Sequence, residues 1–256
     1  MSANASLVEF LTAMADDELL IGHRDSEWTG HAPILEEDIA FSNIAQDEIG
    51  HGLVWYTLLE TLTGRSPDHM GFARPAADFR CSRFVTHPKG DFAYTVVRQY
   101  LFDEAEQVRL ASLSDCAYQP IRDAAAKILQ EEAYHLLHSK GLVERLGHAT
   151  EESHGRMLSA VTTAFPQALG LFEFLTAEED LVHSHVFPGH AVLKERWLDR
   201  VVPVLEKATI APAATRSDLS KLAADIGGRK GTHLPFLAEA LADMQRVFQS
   251  EEGAAW

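Results

Sequence analysis

The chain has 256 residues, 46% of them hydrophobic and 23% charged, with a formal net charge of −16. That composition suits a globular chain able to bury a sizeable core, while the acidity disfavours nucleic acid and anionic membrane surfaces, both of which need a basic footprint. The two cysteines, Cys81 and Cys116, make neither a disulfide framework nor a zinc pattern, no apolar run approaches the ~20 residues of a membrane span, and Met1 to Leu7 lack a basic-then-apolar leader, so the expected compartment is the cytoplasm.

Residues 5–25 predict a first helix, with Leu7, Leu11, Met14, Glu18 and Ile21 or Gly22 on one face. After a turn at 26–32, Pro33 suits the first position of a second helix that runs to about Leu62 and stops near Gly64. Its inward stripe is Glu37, Phe41, Ile44, Glu48, His51, Trp55 and Leu58 or Leu59. From Gly64 to about Gly90 the helical period disappears among Pro67, Pro75, Pro88 and several glycines, which predicts a long crossover. Residues 91–113 form a third helix with Ala93, Val97, Tyr100 or Leu101, Glu104, Val108 and Ala111 in phase. Tyr118-Gln119-Pro120 breaks it. The fourth helix, 120–146, carries Ile121, Ala125, Ile128, Glu132, His135, Ser139 and Leu142 inward, and Gly147 is expected to end it.

Further helix is expected over 152–176, kinked or divided at Pro166, over 177–208 with a break at Pro188-Gly189, and as short amphipathic pieces over 216–226 and 233–250. No segment has a persuasive strand pattern. The expectation is a single all-α domain over 1–256: a four-helix bundle at about 5–147, with a long crossover between its second and third helices as in ferritin-like folds, and a helical extension at about 152–250.

Two copies of Glu-x-x-His organise the chemistry: Glu48-Ile49-Gly50-His51 and Glu132-Ala133-Tyr134-His135. Residues three apart on a helix share a side, so each pair can approach one metal ion. Glu18 and Glu104 stand 30 and 28 residues upstream of their respective pairs, in helical stretches. Four carboxylates and two imidazoles are the donors a four-helix bundle uses to hold two metal ions. The expected ligands are therefore Glu18, Glu48, His51, Glu104, Glu132 and His135. Hard carboxylate oxygens and imidazole nitrogens suit two iron ions through a redox cycle, and also suit manganese. One such pair is a weak signal; two, each on an inward stripe with an upstream Glu, are a strong one. Asp17, Asp47, Asp103, Glu106 and Glu131 adjoin the chosen ligands, and a small phase error would exchange them.

Glu37, Tyr100 and Asp103 are candidates to support the ligands, with a solvated place near the helix end as the equal alternative for Glu37 and plain packing as the alternative for Tyr100; Tyr134, beside them, is expected to pack. His183, His185 and His190 near Glu178, Glu179 and Asp180 read as an exposed polar stretch before a second metal site. Gly227-Gly228-Arg229-Lys230-Gly231 reads as a turn, with Arg229 and Lys230 as the alternative contact for a phosphate or coenzyme A.

The run Ser26-Glu27-Trp28-Thr29-Gly30-His31-Ala32-Pro33, followed by Leu35-Glu36-Glu37-Asp38-Ile39-Ala40, resembles the PaaC family. So do Arg98-Gln99-Tyr100 with Asp103, Tyr134-His135-Leu136, Glu144-Arg145-Leu146-Gly147 and Gly227-Gly228-Arg229-Lys230-Gly231. The resemblance extends from about residue 10 to Trp256. It implies a ferritin-like fold and a subunit of the ring 1,2-phenylacetyl-CoA epoxidase, which uses dioxygen and electrons from NADPH delivered by an iron–sulfur flavoprotein reductase. It also implies a PaaA-like partner that carries the di-iron site, beside which PaaC is structural and usually lacks a full ligand set. This sequence departs from that pattern in having all six candidate ligands. The expected function is a di-iron oxygenase-type subunit of a phenylacetyl-CoA monooxygenase complex, assembled as a homodimer or with a PaaA-like partner. The alternatives are a metal-free scaffold beside a PaaA-like partner, and a ferritin-like ferroxidase or dimanganese protein.

Overall fold

The structure is a computed structural model that describes residues 3–212 and 215–250; Met1 and Trp256 lie outside them. In chain order the helices are α1 (Ala3–Ser26), α2 (Leu35–Thr63), α3 (Pro67–Phe72), α4 (Arg83–Thr86), α5 (Phe92–Ser112), α6 (Gln119–Ala149), α7 (Glu151–Ala168), α8 (Glu178–His183), α9 (His190–Lys207), α10 (Arg216–Leu219), α11 (Pro235–Met244) and α12 (Arg246–Ser250). No strand occurs among the described residues, so the chain is all-α as expected.

Several boundaries differ from the sequence expectation. α2 starts at Leu35 behind an extended Ile34, so Pro33 precedes the helix instead of opening it. Glu36, Glu37 and Asp38 then place three acids in the first turn, where the helix dipole favours them. The crossover contains short helices whose first amides are accepted by Ser66 and Ser82 hydroxyls. Gly147 lies inside α6; a Cβ there would sit 2.5 Å from the Ala208 carbonyl oxygen, so it serves a close approach. The break comes at Thr150, whose hydroxyl forms a capping box with Ser153. Pro166 falls in the last turn of α7, which passes into a 3-10 turn at Leu169–Phe172. The helix expected over 216–226 is only α10, because the Asp225 amide is drawn to the Pro166 carbonyl.

The described residues fall into two compact units. The first comprises residues 3–88, 175–180 and 226–250. Its frame is the antiparallel pair α1 and α2. A Cβ on Gly22 would meet the Ala45 carbonyl oxygen at 3.0 Å, and one on Gly52 the Ala15 carbonyl oxygen at 3.3 Å, so one glycine on each helix lets the backbones close. The crossover is tied across α1 by two buried acids. Asp16 accepts from Arg74, from the Arg80 amide at 2.6 Å and from the Tyr56 hydroxyl at 2.6 Å. Asp17 accepts from the Ser82 amide at 2.7 Å and from Arg229 at 2.8 and 2.6 Å.

The second unit comprises Lys89–Phe174 and Leu181–Asp225. α5 is buried on every side from Thr95 to Glu106, with α6, α7 and α9 against it. α6 buries one stripe, Ile121, Ala125, Ile128, Glu132, His135, Ser139 and Leu142, in the phase the sequence predicts. Trp197 of α9 is fully buried; its indole N–H donates to the Leu101 carbonyl at 3.0 Å, and its rings lie 5.3 Å from Phe165 and 5.4 Å from Phe172. α8 and α9 end alike. His185 (φ 56°) and Thr209 (φ 58°) each take the left-handed position, and the crossed bonds Val186 N–H to Leu181 O and Ile210 N–H to Leu205 O close the last turns.

Candidate metal centre

α1 and α2 present one triad. Glu18 and Glu48 are 0% exposed and His51 2%. On α2 the buried stripe is Glu37, Phe41, Ile44, Glu48, His51, Trp55 and Leu59, so an acid and an imidazole share an otherwise apolar face. The backbone approach at Gly22 and Gly52 brings Glu18 beside them. The His51 Nδ1 lies 3.7 Å from Glu48 Oε2 and 3.9 Å from Glu18 Oε2. One donor atom from each of the three side chains lies within 4.8 Å of the others. Buried carboxylates cost several kcal/mol each unless something compensates their charge, and a divalent cation among them does so.

α5 and α6 present a second triad. Glu132 is 0% exposed, His135 is 3% exposed, and the His135 Nδ1 lies 3.3 Å from Glu132 Oε1. The acid that joins them from α5 is Asp103, with donor atoms again within 4.8 Å. Gln99 Nε2 donates to one oxygen of its carboxylate at 2.7 Å, and the Ser139 hydroxyl donates to the other. Gln99 stands one turn before Asp103, and Ser139 one turn beyond His135.

Glu104, expected in that place, is not with them. It is buried against Arg200 of α9, whose Nε donates to it at 2.5 Å. Asp103 and Glu104 are one residue apart, about 100° around the helix axis. The sequence could not fix that phase, because α5 is buried all round and apolar neighbours flank both acids. Tyr100 goes with Glu104: burial, and then the neighbouring Glu104 carboxylate, push its phenol well above its usual range. Asp103, which the sequence places among the supporting residues, stands beside Glu132 and His135.

Of the other acids next to the expected ligands, Asp17 is taken by Arg229, Glu106 pairs with Arg109, and Asp47 is exposed. Glu37 is buried on the stripe of Glu48. Tyr134 is 75% exposed, so it is not packed into the core as expected. His183 and His185 are exposed, while His190 is buried with its ring edge-on to Phe187 at 5.1 Å. Arg229 cannot serve a phosphate. It is buried, and its guanidinium is spent on Asp17 and on the Ala13 and Arg80 carbonyls at 3.2 and 2.9 Å. Only Lys230 of that pair is exposed. Sequence reasoning misses Gln99, Ser139 and Arg200 as contributors; the i, i+4 spacing of Gln99 and Asp103 is a readable signal, and Arg200 has none.

The chain matches the family model of the phenylacetic acid catabolic proteins over residues 1–256. It is 29% identical to the C subunit of 1,2-phenylacetyl-CoA epoxidase from Escherichia coli K12 over 251 residues, which cover 98% of this chain and 99% of that one. It is 25% identical to the A subunit of the same enzyme over 206 residues, 78% of this chain and 66% of that one. Among the described residues no helix is long and apolar enough to cross a membrane.

Proposed function

Because the chain belongs to the phenylacetic acid catabolic protein family, we propose that it is a metal-bearing subunit of an epoxidase complex that oxygenates the ring of phenylacetyl-CoA or a related aryl-CoA. The observation that carries this reading is the pair of buried triads, each with two carboxylates and one imidazole. Glu18, Glu48 and His51 supply one set of donors, and Asp103, Glu132 and His135 the other. Oxygen and imidazole donors of this kind fit iron first and manganese second. When bound, two irons would supply the dioxygen chemistry that no protein side chain can provide.

The chain's own residues do the rest. Gln99 and Ser139 each donate to one oxygen of the Asp103 carboxylate and so orient it. The closeness of α1 and α2 at Gly22 and Gly52 fixes Glu18 against Glu48. Phe41, Ile44 and Trp55 on α2, and Ile128 and Leu142 on α6, exclude water along the two stripes.

The proposed partners are a PaaA-like chain and an NADPH-dependent iron–sulfur flavoprotein reductase, in the cytoplasm, where the unbonded Cys81 and Cys116 suit a reducing medium. Ile34, Leu35, Ile39 and Leu53 are each more than half exposed and give α2 an apolar outer face for such a partner. The likeness to the epoxidase's C subunit favours a second reading, in which the chain is only a scaffold for that partner. Metal analysis separates the two. Loaded anaerobically with ferrous iron, the chain should bind two irons, and Glu132→Ala should lower that stoichiometry. Substantially less than two irons in the parent chain would favour the scaffold.

A further inference from the structure

The second unit carries a cavity of about 450 Å³ that the metal chemistry does not use. This is within the usual ~300–1,000 Å³ range of small-molecule sites. One wall is apolar: Val182, Val186 and Phe187, the last two buried. Two opposite charges line the same cavity, Arg196 from α9 and Asp115 from the turn after α5. Neither has an ion pair or a side-chain hydrogen bond with any described residue, or with the other.

His185 lines it too, in the left-handed conformation at φ 56°. That position ends α8, and glycine is the residue that takes it without strain. Thr209 occupies the equivalent position after α9, and its hydroxyl meets His154 Nδ1 at 3.5 Å, so its side chain has an internal use. The His185 ring has no polar partner among the described residues, and its place is the edge of the cavity.

We propose that this cavity binds a free α-amino acid with an apolar side chain of leucine to phenylalanine size. The ligand carboxylate pairs with Arg196, and His185 is the neighbouring donor. The ammonium pairs with Asp115, and the side chain lies on Val182, Val186 and Phe187. A zwitterion satisfies both charges at once, whereas a simple carboxylic acid would leave Asp115 facing an anion. The site is independent of the metal assignment.

The test is isothermal titration calorimetry of the full chain with L-phenylalanine and L-leucine, then with N-acetyl-L-phenylalanine, L-phenylalaninamide and phenylacetate. Saturable binding is expected with a Kd on the order of 1 mM or tighter, and each derivative should bind about tenfold more weakly. Arg196→Met and Asp115→Asn, both at exposed positions, should weaken L-phenylalanine by a similar factor while circular dichroism and Tm stay unchanged. His185→Ala should weaken it to a smaller degree. No saturable binding of either amino acid, equal binding of the derivatives, or unchanged affinity in both charge variants would each overturn the proposal.

Discussion

Asp16, Asp17 and Glu18 are three successive carboxylates on α1, all 0% exposed, and each meets a different part of the first unit. Successive residues turn about 100° around a helix, so the three fan outward. Asp16 reaches Arg74, Asp17 reaches Arg229, and Glu18 reaches the imidazole and carboxylate of α2. Two of the three are answered by guanidinium groups, and the third faces the His51 imidazole and the Glu48 carboxylate. The same one-residue discrimination applies on α5, where Asp103 and Glu104 are both buried and only Asp103 joins Glu132 and His135. Asp103→Asn should therefore lower ferrous iron stoichiometry, measured by metal analysis after anaerobic loading. Glu104→Gln should leave it unchanged and cost about 1 kcal/mol of stability or less, because Arg200, 47% exposed, can turn to solvent. Loss of iron in Glu104→Gln with full retention in Asp103→Asn would restore the assignment read from the sequence.

Helices α2 and α6 are the legible elements. Each buries one stripe, and the apolar period fixes which acid and which imidazole point inward. Helices α1 and α5 are buried almost all round, so periodicity marks them as helices but cannot set their phase. Glycine is the other source of misreading, because a sequence does not say whether a glycine ends a helix or admits a neighbour. Gly147 and Gly155 separate the two cases. A Cβ at Gly155, inside α7, would meet nothing within 4 Å, whereas one at Gly147 would strike the Ala208 backbone. Gly155→Ala should stabilise by up to about 1 kcal/mol, the usual helix preference for alanine. Gly147→Ala should destabilise by roughly 1–3 kcal/mol, because backbone must move to admit the methyl. Urea denaturation of both variants checks the signs; stabilisation by Gly147→Ala would mean that α6 and residue 208 are not in contact.

At the scale of the molecule, the repeated Glu-x-x-His exposes four of the six proposed donors, and the spacing upstream of the first pair a fifth, Glu18, because ligand chemistry restricts residue type and helix geometry restricts spacing. What stays hidden depends on the path of the chain: the reach of Arg229 back to α1, and the packing of residues 79–83 over Asp16 and Asp17. Two histidines of the same unit, His23 and His233, are half-buried. His23 is held below its ordinary pKa first by burial, which outweighs the attraction of Glu27. His233 is held down first by burial, against its bond to the Phe79 carbonyl at 3.0 Å. A histidine whose folded pKa is depressed takes up its proton more readily in the unfolded chain. The contribution of each is therefore complete above the unfolded value of about 6.5 and is lost as pH falls below it toward the folded value. Stability measured by urea denaturation should fall between pH 7 and pH 5.5, and replacing both by glutamine should flatten that slope. An unchanged slope in the double variant would assign the acid sensitivity to other groups.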